Sequence, residues 1–95
     1  MAATTLLNAV TVNTVGTGVE ITGDVDFSAL GFFGGGVLEV QRSVDDVDAN
    51  YKPVGPEGQF IGAGHCTVRN VGANYYRGVL KGATQTANAT LKSNQ

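Results

Sequence analysis

Val19-Glu20-Ile21-Thr22-Gly23-Asp24-Val25-Asp26-Phe27 alternates apolar and polar side chains over its whole length. Val19, Ile21, Val25 and Phe27 fall on one side of an extended chain with Gly23 in phase, and Glu20, Thr22, Asp24 and Asp26 fall on the other. A period of two marks a strand with one face buried and one face wet. The run therefore predicts a β-strand over Val19–Phe27 with Val25 interior and Asp24 exterior.

The same pattern recurs on both sides of this run. Upstream, Leu7–Val15 reads as a first strand closed by Gly16-Thr17-Gly18. Downstream, Ser28–Gly36 carries Leu30, Phe32 and Phe33 and ends in three glycines, so it reads as a connection with a sharp turn. Extended segments follow at Val37–Ser43, Tyr51–Val54, Gln59–Ile61, Cys66–Val71, Tyr75–Lys81 and Thr86–Lys92. In the last of these Ala87, Ala89 and Leu91 point inward. No window holds a helical apolar stripe for three turns. The expectation is an all-β fold: a single small antiparallel β-sandwich, or a small barrel, of about seven to eight short strands. Residues 1–95 form one domain in this reading, with 1–7 a possible N-terminal arm and 92–95 a short tail.

Composition narrows the function classes. A chain of 95 residues has room for one thin core. Charged residues make up 15% of it, against a norm near ~25%. Its 14 glycines are about twice the ordinary share of ~7%. The surface is consequently neutral and polar, and a net charge of −2 gives no basic field for nucleic acid or for anionic lipid. The single cysteine, Cys66, has no intrachain partner. The first residues, MAATTLLNAV, lack the charged and apolar regions of a signal peptide and are too briefly apolar to span a membrane.

The strongest local motif is acidic. Counted from Asp46, the segment DVDANYKPVGPE places Asp46, Asp48, Asn50 and Glu57 at the oxygen-ligand spacing of a calcium loop. Tyr51 stands where such a loop needs glycine, and Pro53 where it has an aliphatic residue. The expectation is a solvated loop whose Asp and Asn side chains bond their own backbone, with no metal and no cofactor. His65 and Cys66 are neighbours on an extended segment and point to opposite faces, so they do not form a base and nucleophile pair. GFFGGG precedes a strand and lacks the Lys-Ser/Thr of a phosphate loop. Tyr75 and Tyr76 beside Arg77 offer an aromatic contact patch. No catalytic residues are expected.

Taken in order, GGGVLEVQRSVDD, NYKPV and NYYRGVLKGATQTANATL resemble the small β-sandwich domains of tailed-phage virion proteins. In those domains a glycine-led V-x-L-x-V strand ends in a Ser-x-Asp-Gly turn. An aromatic-x-x-Val strand follows, and an aromatic-aromatic-Arg strand leads to a Thr/Ala-rich last strand. Leu38 and Val40 match the core strand, Ser43 and Asp45 its turn, Tyr51 the position often held by Trp, and Tyr76 and Arg77 the late strand. Asp46 replaces the turn glycine, and DANY is an insertion. The resemblance implies a virion structural protein without enzymatic activity: a capsid decoration or cement protein on the outer shell, made in the host cytoplasm. Its partners would be the phage major capsid protein or other virion proteins, with self-association on the particle and no nucleic acid or membrane contact. The alternatives are a head-fibre, collar or tail subunit and, in another class, a carbohydrate-binding module stacking sugars on Tyr51, Tyr75 and Tyr76. Partner-contact candidates are Ala2, Thr4, Thr5 and Leu6 of the arm together with those three tyrosines.

Overall fold

A computed structural model describes residues 3–95. It is all-β, as the alternation requires, and consists of two antiparallel sheets packed face to face. One sheet, A, has the order β1 (Ala3–Val10), β10 (Asn88–Asn94), β4 (Val25–Phe32), β8 (Gly64–Val68). The other, B, is built on the central pair β5 (Val37–Ser43) and β9 (Ala73–Lys81). β2 (Thr14–Val15) and β3 (Val19–Thr22) flank β9, while β6 (Lys52–Pro53) and β7 (Gln59–Phe60) flank β5. The described residues thus carry ten strand segments rather than seven or eight. The excess arises in sheet B, where each flanking strand is broken in two. Gly16–Gly18 interrupt one, and a 3-10 turn at Pro56–Gly58 interrupts the other.

The decisive run Val19–Phe27 is two strands, not one. At Gly23, whose φ is +83°, the chain leaves sheet B and enters sheet A. Phase is kept across the corner: Ile21, Val25 and Phe27 are buried and Glu20, Thr22, Asp24 and Asp26 are exposed. One core accepts apolar side chains from both sheets, so alternation persists while the strand changes partners. The corner is held by Asn70. Its Nδ2 donates to the carbonyls of Ile21 and Gly23, and its own N–H donates to Asp24 Oδ1 at 2.8 Å.

β5 coincides with the expected Val37–Ser43, and Ala87, Ala89 and Leu91 of the last segment are buried as expected. The connection Ser28–Gly36 is shorter than expected, because β4 continues to Phe32. Between the sheets Phe27 meets Tyr76 with ring centroids 5.4 Å apart. Gly78 of β9 lies against the side chains of Leu7 and Leu91, where a Cβ would come within 2.7 Å of Leu91. Glycine there lets sheet B approach sheet A closely enough for those two leucines to fill the gap.

Of the expected N-terminal arm 1–7, the described residues 3–7 lie in a strand. Ala3–Val10 is a full strand paired with β10, and Leu6 and Leu7 are 6% and 4% exposed. Two irregularities make this possible. The register steps from Thr5↔Lys92 to Leu7↔Leu91, so Leu6 is an extra residue in a β-bulge and both leucines reach the core. A second bulge before Val10 holds Ala9 at φ +49°, its N–H bonded to Thr90 Oγ1. The tail is likewise mostly strand: Lys92–Asn94 complete β10, and Ser93 is buried with its hydroxyl on the Thr4 carbonyl.

Candidate functional site

Among the expected contact residues, Ala2 lies outside the described residues. Thr4 and Thr5 are exposed on β1, whereas Leu6 is core. The three tyrosines separate. Tyr75 is half-buried on β9, Tyr76 is fully buried against Phe27, and Tyr51 is 6% exposed. Tyr76 therefore cannot offer its ring to a partner, and Tyr51 is no exposed stacking surface either. Burial pushes the Tyr76 hydroxyl to a higher pKa, with Arg42 beside it opposing in part. Among the described residues the hydroxyl has no hydrogen-bond partner.

Tyr51 is instead the keystone of a polar corner. β5 leads into the turn Ser43-Val44-Asp45-Asp46, where the Ser43 hydroxyl donates to Asp45 Oδ1 at 2.8 Å and accepts the Asp45 N–H. Asp46 then adopts φ +56°, the left-handed conformation that glycine takes most easily. This turn aims the Asp46 carboxylate at Tyr51, whose hydroxyl donates to Oδ1 at 2.6 Å. The Arg77 guanidinium lies 4.0 Å above the Tyr51 ring, a cation–π contact, and its Nη1 donates to Asp48 Oδ1 at 2.8 Å. Burial and then the Asp46 carboxylate raise the Tyr51 pKa well above the tyrosine range, so the hydroxyl stays a donor. Gly18 of the β2–β3 turn packs directly on the Tyr51 hydroxyl and Asp46 Oδ1, leaving no room for a Cβ.

The corner continues as one hydrogen-bonded chain across the outer face of sheet B. Arg77 Nε donates to Gln41 Oε1, Gln41 Nε2 donates to Glu39 Oε2, and Gln59 Nε2 and Lys81 Nζ both donate to Glu39 Oε1. Side chains of the neighbouring strands cover Glu39, which is 1% exposed although it faces outward. Burial works against its charge, but the bonds from Gln41, Lys81 and Gln59 outweigh that and hold its pKa below the ordinary 4.5. Sequence reading missed this network. Its only signal was polar residues at alternate positions of β5 and β9, which reads as an ordinary wet face.

The calcium spacing does not become a ligand set. Asp46 faces Tyr51, Asp48 faces Arg77, Asn50 donates to Asp45 Oδ2, and Glu57 sits in the 3-10 turn Pro56–Gly58. Among the described residues no three His, Cys, Asp or Glu side chains gather as a metal cage. His65 is exposed on β8 while Cys66 is half-buried facing the core, its thiol pKa raised first by burial. One open cleft of about 260 Å³ lies at the opposite end from the Tyr51 corner, between the loops that hold Thr11, Asn13, Thr84 and Gln85.

The arrangement orders a surface: it fixes Arg77, Lys81 and the acidic turn in place by mutual hydrogen bonds. Comparison with known proteins adds no relative, since no family model, no curated protein and no solved structure matches the chain.

Proposed function

We propose that this chain is a non-enzymatic virion structural subunit of a tailed phage, a capsid decoration or cement protein that binds the outer shell of the head. The observation that carries the reading is the Ser43–Asp46 turn. In the virion-domain motif its last position is glycine, and Asp46 meets the same backbone demand at φ +56°. Tyr51, at the position often held by Trp, packs under Arg77 of the aromatic-aromatic-Arg strand, so the matched positions are also in contact. A rigid, weakly charged β-domain suits a subunit that must sit beside many copies of itself, where like-charge repulsion accumulates.

The test is co-sedimentation of the purified chain with heads of the phage that encodes it, followed by negative-stain imaging with labelled protein. Saturable binding and label on the shell are expected. Label confined to fibres, collar or tail would move the protein to those structures. No binding to any virion part, with tight binding to a defined oligosaccharide instead, would overturn the proposal in favour of a carbohydrate-binding module.

A further inference from the structure

The two ends of the sandwich differ in charge. Residues 7–19, 27–38 and 82–91, which carry the β1–β2, β4–β5 and β9–β10 loops, contain no Asp, Glu, Lys or Arg. At the chain's overall 15% they would hold about five. The neighbouring charge along the chain, Lys81, is turned onto the outer face of sheet B by its bond to Glu39. Depletion of charge is what sets the centre of a binding surface apart from the rest of a protein.

The cleft of about 260 Å³ opens at this uncharged end, and its walls are tied together. The Ala87 N–H donates to the Thr11 carbonyl, and the N–H groups of Thr84 and Gln85 both donate to the Gly34 carbonyl. Asn13 bonds both the N–H and the carbonyl of Ala83. These bonds fix the walls and use backbone groups with which an extended peptide would pair. What the walls offer is side chains. Thr11, Thr84, Gln85 and Thr86 are exposed, and among the described residues their hydroxyls and amide have no hydrogen-bond partner. Each of these groups can both donate and accept. Apolar surface adjoins them. Val12, in the wall, is 67% exposed, and Phe32, 55% exposed, stands opposite Asn88, two residues after Thr86.

A ligand for this cleft must match three properties at once. It must be neutral, because a charge brought to this end would lose water and meet no opposite charge. It must be rich in groups that donate and accept, as the walls are. It must also turn an apolar face to Val12 and Phe32. A neutral sugar ring has all three, with hydroxyls around its rim and C–H groups on its faces. The volume lies just under the ~300 Å³ at which small-molecule pockets begin, so the cleft has room for one ring.

We propose that the cleft between the 11–13 and 83–86 loops is a binding site for a neutral glycan, seating one sugar unit against Thr11, Thr84, Gln85 and Thr86 with Val12 and Phe32 beside its C–H faces. The site shares no residue with the Tyr51 corner. It also stands apart from shell attachment: failure of either leaves the other in place.

The test is amide-resolved NMR titration of the full chain with the methyl glycosides of glucose, galactose, mannose and N-acetylglucosamine and with their neutral oligosaccharides. Saturable shifts confined to residues 11–13, 32 and 83–88 are expected, with a Kd of about millimolar for one sugar unit. Thr84→Val, Gln85→Ala and Phe32→Ala should each weaken binding about fivefold, the worth of one hydrogen bond or one stacking contact. All three side chains are exposed, so the variants remain folded. A methyl glucuronide, which adds a carboxylate to the glucose ring, should bind less tightly than the glucoside. The proposal is overturned if none of these sugars gives a saturable shift, or if the shifts centre on Tyr51 and Tyr75. It is equally overturned by glycerol shifting the same amides as strongly, by a glucuronide that binds at least as well, or by variants that bind as the wild type does.

Discussion

Ala9 holds φ at +49°, a conformation that costs an L-residue about 1–2 kcal/mol. Glycine would lose that strain but give up about 0.5–1 kcal/mol of chain entropy on folding. Ala9→Gly is therefore expected to stabilise the domain by up to about 1 kcal/mol, read as a raised urea midpoint at unchanged slope. Glu39 governs a different variable. Its folded pKa is depressed, so the stability it contributes is present above its unfolded value near 4.5 and is lost as pH falls through the lower folded value. Urea midpoints measured from neutral pH down to acid should show this loss in the wild type. Glu39→Gln should be less stable at neutral pH and show a flatter acid limb; equal limbs would place the acid sensitivity elsewhere, with Asp45, also depressed by its Ser43 bond, the next residue to change.

At the scale of elements, the pairing of β1 with β10 makes the first residues structural. Leu7→Ala should cost about 2–5 kcal/mol, the range for deleting a packed leucine side chain, and removal of residues 1–7 should leave a chain without a cooperative thermal transition. A truncated chain that still melted cooperatively would show β1 to be dispensable. Asn70 is the second element-scale lock. Asn70→Ala strands the carbonyls of Ile21 and Gly23 at the corner where the chain changes sheets, an expected loss of about 2 kcal/mol in urea titration. Asn70→Asp should be no rescue, since a carboxylate accepts where the corner needs a donor.

The whole molecule explains which parts were legible beforehand. β5 and the inward face of Thr86–Lys92 were plain because their alternation and their strand coincide. Val19–Phe27 was right in phase and wrong in continuity, because a period of two reports which face is buried and not which sheet the strand joins. Alternation admits only one of two neighbours to the core, so it starts the first strand at Leu7 and leaves Leu6 to the arm; the bulge admits both. Tyr51 and Glu39 have near partners in Asp46 and Gln41, but the contacts that bury or charge-pair Tyr51, Glu39 and Asn70, with Arg77, Gln59 and Ile21 among them, come from 20 to 49 positions away, and no local pattern carries that information.

The pairing of β1 with β10 also has a mechanical meaning. Ala3 stands opposite Asn94, so the two ends of the described chain leave the same end of sheet A side by side. Tension applied through them would load the Ala3–Asn94 rung alone and open the ladder rung by rung, as a zipper parts, instead of loading all its hydrogen bonds together in shear. Pulled by its ends in a single-molecule force experiment, the domain should yield at low force. Pulled from an anchor at Phe32, at the far end of the β4–β10 ladder, against the end of β10, it should resist more strongly, because the load then runs along the two strands and is shared among their hydrogen bonds.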